Sequence, residues 1–220
     1  MAIPKIIYQT FKTDKIPLLT RFYIWRFMRK NKSFSYKFYN DAEISQFIEK
    51  NFDKRTFDAY NLLQIGAAKA DFFRYAVLYI HGGIYVDLDS DITADLDKFL
   101  LEDDVAVITK ENGRHLYAQW ALIYDKGHPF LKRTIDLMVH NIETNAFPHD
   151  VHAMTGPTVY TKAILEILQE FPDTACRIVE DDYKGVMKFK YKFGKILIYR
   201  DRSNHWKKLQ KRIPVVKPTD

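Results

Sequence analysis

One stretch restricts the fold of this chain more than any other. Residues Ala67 to His81 (AAKADFFRYAVLYIH) read as a helix, and Gly82-Gly83 follow at once, supplying residues that can end a helix with positive φ. A strand then has to begin without a linker. In Ile84 to Asp89 (IYVDLD) the period is two, so Ile84, Val86 and Leu88 are predicted on one face and Tyr85, Asp87 and Asp89 on the other.

The same alternation of helix-like and strand-like segments runs along the rest of the chain. Strands are predicted at Ile3 to Gln9, Ser35 to Tyr39, Val105 to Thr109, Tyr117 to Tyr124 and Ile196 to Tyr199. Helices are predicted at Leu18 to Lys30, from an N-cap at Asp41 to about Lys50, and at Pro129 to Glu143 and Pro157 to Glu170. Such an order implies an α/β sandwich around a mainly parallel sheet. The chain has 220 residues, 47% of them hydrophobic, which suffices for one substantial core. With no repeat, low-complexity run or Gly/Ser linker, a single catalytic domain over 1–220 is expected, carrying a basic, aromatic C-terminal segment at about 183–212.

Charge is concentrated in that segment. Between Tyr183 and Arg212 stand eleven Lys/Arg and one Asp, and the remainder has 23 Lys/Arg against 27 Asp/Glu. The single cysteine, Cys176, excludes an internal disulfide and lies outside any Cys/His cluster, which argues against zinc and for a reducing compartment. The N-terminal stretch lacks the apolar run of a signal peptide and the roughly 20-residue span that crosses a bilayer. A cytosolic protein is expected, and this disfavours a Golgi-anchored one.

Asp87 and Asp89 carry the chemical argument. Apolar alternation buries the opposite face of their strand and directs both carboxylates at a cleft or solvent, where they can converge on one ion. An oxygen-rich site suits Mg²⁺ or Mn²⁺, which bind through one or two protein carboxylates plus substrate phosphates and waters. That ion would neutralise charge on a departing diphosphate. A calcium loop starting at Asp87 fails, because Ile92 stands where glycine is required and Lys98 where a bidentate Glu is required. Two other readings stay open from the residues alone: a solvated acidic turn, and an aspartyl phosphohydrolase with its two acids two apart.

The run from Lys69 to Tyr79 (KADFFRYAVLY), followed by Gly82 to Asp89 (GGIYVDLD), resembles the DXD sugar-binding region of the family-32 glycosyltransferases and of the related clostridial glucosylating toxins. The opening Ile3 to Phe11 (IPKIIYQTF) resembles the family's first strand, with Tyr8 for the usual His and Phe11 for the usual Trp. Gly127-His128-Pro129-Phe130 and Thr155-Gly156-Pro157 follow in family order, so the resemblance covers roughly the first 170 residues. It implies a GT-A fold, a UDP- or GDP-sugar donor, a divalent cation, a glycan or lipid-linked acceptor and retention at the anomeric carbon.

Residue roles follow from that resemblance. Asp71 would bind donor sugar hydroxyls, and Arg74, three residues on and on the same helix face, sugar hydroxyls or a phosphate oxygen; an ordinary i,i+3 ion pair is the plain alternative. Tyr85 would lie along the ribose or sugar, and Tyr8 and Phe11, with Gln9 and Thr10 between them, would flank the base. Gln119 stands where relatives often carry an Asn near the reactive face. His128 is expected to end a loop, and Thr155-Gly156-Pro157 to offer free amides at a helix N-terminus. In His205-Trp206 the His would complete the metal shell and the Trp cover the diphosphate.

The segment Lys184 to Lys195 interleaves lysines with aromatic and apolar side chains, which fits either peripheral contact with an anionic membrane or an edge hairpin protected by its charges. Nucleic-acid binding would also use such a segment, but it leaves the acids Asp71, Asp87 and Asp89 unexplained, and no nucleic-acid partner is expected. A catalytically silent sugar- or nucleotide-binding protein on this fold stays open beside the enzyme. The base and sugar are not readable from the residues.

Overall fold

The protein was analysed as a computed structural model that describes residues 3–111, 113, 115–191 and 205–218. The elements run β1 (Ile6–Thr10), α1 (Leu18–Lys30), β2 (Ser35–Tyr39), α2 (Asp41–Asn51), α3 (Lys54–Leu62), α4 (Gly66–His81), β3 (Gly83–Val86), β4 (Asp91–Ile92), α5 (Leu96–Phe99), β5 (Ala106–Thr109) and β6 (Ala121–Tyr124). They continue with α6 (Pro129–Glu143), α7 (Val151–Met154), α8 (Pro157–Glu170), β7 (Arg177–Val179), β8 (Met187–Lys188) and α9 (Trp206–Leu209).

Six strands form the central sheet in the order β2-β1-β3-β6-β5-β7. β1 pairs in parallel with β2 and β3, and β5 with β7, whereas β6 is antiparallel to both β3 and β5. The alternation written in the strands divides the core between the two faces. Tyr8, Tyr85, Leu122 and Tyr124 pack with Phe72, Phe73, Met138 and Tyr160 of α4, α6 and α8. Ile7, Ile84, Val86 and Ile123 pack with Phe27 of α1, Leu96 of α5 and Met187. Helix α4 is apolar on nearly every side and is accordingly buried along Phe72–Leu78.

Several boundaries differ from the sequence expectation. The α2 cap is Asn40, not Asp41; the Ala42 and Glu43 amides donate to its side chain at 3.0 Å and Glu43 reaches back to its amide, a reciprocal capping box. The strand expected over Tyr117 to Tyr124 is regular only from Ala121, although Tyr117 forms an isolated bridge with Lys110. Helix α3 and strands β4, β7 and β8 lie outside the sequence reading. Each is short, and α3 is opened by Asp53, whose side chain accepts from the Thr56 amide at 2.8 Å. The strand expected at Ile196 to Tyr199 falls outside the described residues.

Strand β3 ends at Val86, so the period of two does not reach Leu88 and Asp89. The Ser90 amide donates to the Asp87 carbonyl at 2.9 Å and closes a turn over 87–90. The described parts of the basic C-terminal segment are not a free tail: Met187 and Tyr191 are buried, β8 pairs with β4, and beyond α9 Val215 and Val216 enter the main core.

Two glycines make the α4–β3 junction possible. Gly82 has φ +65 and Gly83 φ +108, and a Cβ on Gly83 would stand 2.8 Å from the Ile6 carbonyl oxygen and 3.1 Å from the Tyr8 ring. The β1–β3 approach therefore depends on an absent side chain. Gly83→Ala is expected to lower unfolding free energy by about 2–4 kcal/mol, from backbone strain plus forced separation of β1 and β3. Urea denaturation measures it, and a variant within about 0.5 kcal/mol of the parent would contradict this account.

Candidate active site

The buried face of α4 puts two charged residues into a hydrophobic layer. Asp71 and Arg74, one turn apart, are both almost fully buried. Arg74 Nη2 lies 3.2 Å from Asp71 Oδ1 and 3.1 Å from Asp87 Oδ1, so one guanidinium ties α4 to the end of β3. Its Nη1 donates to the Gln119 carbonyl at 2.8 Å, and its plane lies over the Tyr85 ring, 4.9 Å from the centroid. Gln119 completes the cage, its amide donating to Asp71 Oδ1 at 3.2 Å while its own carbonyl oxygen accepts from the Tyr75 hydroxyl. Thr155 donates to Asp71 Oδ2 at 3.1 Å.

Asp71, Arg74, Tyr85, Asp87 and Gln119 line a cleft of about 1210 Å³ together with Thr10, Phe11, Asp89, Lys190, His205 and Trp206. The turn bearing the second acid is held from both sides. The Asp87 amide donates to Trp120 and Gln9 Nε2 donates to the Asp87 carbonyl, at 2.8 and 3.1 Å. On the far side the segment before and after Lys190 clamps the turn: Ser90 Oγ donates to the Phe189 carbonyl at 2.5 Å, and the Tyr191 amide donates to the Asp89 carbonyl at 2.9 Å. That clamp leaves Lys190 Nζ 3.8 Å from Asp89 Oδ2.

The two carboxylates differ in access. The Asp87 side chain keeps 26% of its exposure and takes a further hydrogen bond from the Tyr85 hydroxyl at 3.2 Å. Asp89 is 3% exposed, and its Oδ2 has no hydrogen-bond partner among the described residues. A buried carboxylate oxygen without a donor is costly unless a cation meets it. Asp91, next but one, is also buried, and its Oδ2 accepts from Arg26 of α1.

The sequence-predicted residues are thus distributed unevenly. Asp71, Arg74, Asp87, Asp89 and Gln119 come together, and Thr10, Phe11, His205 and Trp206 face the same cleft. Tyr8 does not reach it: the residue is 1% exposed and packs against Tyr39 in the core, because β1 neighbours β3 and its side chain lies beneath Gly83. Gln9 is fully buried and holds the Asp87 backbone, its own carbonyl oxygen accepting from Tyr36, so it positions the turn. Tyr85, in the cleft wall, lies under Arg74 with its hydroxyl on Asp87. Among the described residues no three His, Cys, Asp or Glu groups are placed to hold one metal. His205 faces the cleft and caps α9, accepting from the Lys207 amide at 3.3 Å. Trp206 rests on His152, ring centroids 5.0 Å apart.

His128 caps α6 as expected, and Thr155 acts through its hydroxyl on Asp71. Lys190 is a site residue that the sequence does not single out, where it is one lysine of a segment fitting either an edge hairpin or a membrane contact. No local signal links position 190 to position 89.

Electrostatics follow from burial. Burial pushes the Asp71 carboxyl up to about 7 against the pull of Arg74, and Asp89 also to about 7, with Asp87 adding repulsion and Lys190 opposing it. Asp87 is raised by burial too, opposed chiefly by Arg74. A carboxyl whose pKa is higher folded than unfolded binds more protons in the native state, so its contribution to stability falls as pH rises between the unfolded value of 3.8 and about 7. Asp89→Asn is therefore expected to match the parent in Tm near pH 4 and to exceed it increasingly toward pH 8 without metal. Comparing variant with parent at each pH cancels the opposite contributions of His81 and His128, both lowered by burial. A constant difference across the range would refute the assignment.

Residues 17–106, which include the Asp87-Leu88-Asp89 turn, match the family described as the glycosyltransferase sugar-binding region containing the DXD motif. An uncharacterized glycosyltransferase of Acanthamoeba polyphaga mimivirus is 38% identical over 100 residues, 44% of this chain and 40% of that protein. Inositol phosphoceramide mannosyltransferase 3 of Schizosaccharomyces pombe is 29% identical over 180 residues, 78% of this chain and 47% of that protein. The chain spans less than half the length of either relative. Among solved structures, the PaToxG glycosyltransferase superposes with a TM-score of 0.61 at 20% identity, over 78% of this chain and 70% of that one, a likeness of fold. Residues 17–106, with the DXD turn at the mouth of β3, are thus similar to the sugar-binding region of the DXD-containing glycosyltransferases, and the fold is of the GT-A type.

Proposed function

We propose that this chain transfers a hexosyl group, mannose in the first instance, from a nucleoside diphosphate sugar to a hydroxyl of a glycan or lipid-linked acceptor, with retention of configuration. The observation that carries this reading is the pairing of a partly open Asp87 with a buried Asp89 whose Oδ2 has no hydrogen-bond donor among the described residues, both on one wall of a cleft beside Asp71 and Arg74. The name of the fission-yeast relative, a mannosyltransferase, turns the donor toward mannose. It runs against the sequence expectation only where that expectation rested on the chain's ends. Among the described residues no helix is long and apolar enough to cross a membrane.

The donor set fits a hard divalent cation, Mn²⁺ or Mg²⁺: two carboxylates, with phosphates and waters to fill the shell. Asp87 and Asp89 would hold it, and bound there it would act as a Lewis acid on the diphosphate. The chain's own residues do the rest. Asp71, fixed by Arg74, Gln119 and Thr155, presents a carboxylate to the donor's hydroxyls. Arg74 opposes the burial that raises both acids, and Lys190 supplies a further cation for the leaving diphosphate. The acceptor oxygen forms its bond to the anomeric carbon as the carbon–phosphate oxygen bond breaks on the same face. The acceptor proton passes to the departing diphosphate oxygen, and no protein nucleophile is required.

Asp89→Ala is expected to reduce transfer from GDP-mannose in the presence of Mn²⁺ by about 10² or more, the scale of losing a preorganised charge contact. Activity within a few-fold of the parent, in a variant with unchanged circular dichroism, would remove the assignment. Lys190→Met should lower kcat by roughly ten-fold with little change in KM for the acceptor, as expected of a group whose contact strengthens as charge leaves. A single-turnover assay with labelled donors distinguishes an enzyme from a silent binder.

A further inference from the structure

Helix α1 exposes the wrong residues for a helix whose outer face meets only water. Its inner side buries Thr20 and Phe27. Its outer side carries Leu18, Phe22 and Trp25, exposed by 80%, 51% and 52%. Spacings of four and three residues put these three within roughly 60° of one another around the helix axis. Single exposed apolar side chains are ordinary, but this is a continuous stripe, with the Phe22 and Trp25 rings 5.8 Å apart.

The charges beside the stripe are all of one sign. Residues 18–30 contain no acid and four bases, Arg21, Arg26, Arg29 and Lys30, every one exposed. The Arg29 guanidinium lies over the Trp25 ring at 4.9 Å from its centroid. An apolar stripe with aromatic anchors and a basic border is the composition of a helix that lies in the plane of a membrane interface. An acidic protein would meet the arginines but leave the stripe wet, and a neutral apolar partner would bury the arginines unpaired.

Position supports the same surface. Leu18, together with Lys12 and Lys15 on the segment that enters α1, lines the rim of the donor cleft. Arg26 is ion-paired with Asp91, two residues beyond Asp89, so α1 is rigidly joined to the catalytic turn. A surface lying against α1 would therefore face the mouth of the cleft.

We propose that α1 docks this protein on an anionic lipid surface through Leu18, Phe22 and Trp25, with Arg21 and Arg29 on the headgroups and the cleft mouth at the bilayer. The docking is independent of the transferase reading, since it needs neither donor nor metal. It moves the membrane contact from the 184–195 segment, where Met187 and Tyr191 are turned into the protein, to the opposite end of the sequence.

Co-sedimentation with vesicles of phosphatidylcholine, alone or with phosphatidylserine, tests it at low salt on the full chain without nucleotide. The parent is expected to bind the anionic vesicles at least ten-fold more tightly than the neutral ones. Phe22→Ser/Trp25→Ser should lose about ten-fold on anionic vesicles, whereas Lys184→Gln/Lys188→Gln should bind as the parent does. Both aromatic positions are exposed, and unchanged circular dichroism and Tm would confirm that the double variant folds. As a second measure, the parent's tryptophan emission should shift to the blue with anionic vesicles, and Trp25→Phe should abolish the shift. Equal binding to both lipids, parental binding by the aromatic double variant, or an emission shift that survives Trp25→Phe would each overturn the proposal. So would sedimentation velocity showing a parent dimer that the double variant dissolves, because the stripe would then be an interface between copies of the chain.

Discussion

The site depends on one buried guanidinium. Arg74 stands between Asp71 on its own helix and Asp87 at the end of the neighbouring strand, and it also grips the Gln119 backbone on the next strand's approach. Burying three charges is expensive in isolation, and each ion loses much of its hydration. The arrangement persists because the guanidinium offers a planar fork with several donors, so two carboxylates and a carbonyl are satisfied by one cation. Burial still dominates for the acids, whose carboxyls are raised even beside Arg74. The site is therefore held ready for additional positive charge.

The second acid is held by a different device. Asp89 lies on a turn that regular strand pairing does not stabilise, and a segment a hundred residues further along closes over it. That segment pairs β8 with β4, packs Tyr191 against Tyr23 of α1, and leaves Lys190 at the carboxylate. Function and fold are coupled at this point, because the backbone bonds that order the turn also position the cation. The stacking on Tyr23 and the Arg26–Asp91 pair join α1 to the same assembly, so the helix with the exposed aromatic stripe is attached to the turn that carries Asp89.

Local rules account for what was legible. The α4–Gly-Gly–β3 unit follows from helix composition, positive-φ glycines and period-two alternation, all of which act within a few residues. Asp71 and Arg74 share a face because helix geometry puts i and i+3 together. The same rules misplaced Leu88 and Asp89, since a turn closed by Ser90 and Phe189 interrupts the alternation. Tyr8 and Tyr85 carry no sign in their own neighbourhoods of the Gly83 and Arg74 contacts that bury them.

By itself, then, the chain's sequence determined the α/β class, the helix–strand junction, and the acids and arginine that define the centre of the cleft. Only tertiary structure decided that Gln9 and Tyr85 support the turn, that Thr155 and Gln119 orient Asp71, that His205 caps α9 beside the cleft and that Lys190 joins the carboxylates. The physical reason is range. Periodicity, capping and glycine conformation are short-range properties written in adjacent residues, whereas the partner of a buried charge is chosen by whichever donors the packed sheet and its crossovers bring within about 3 Å.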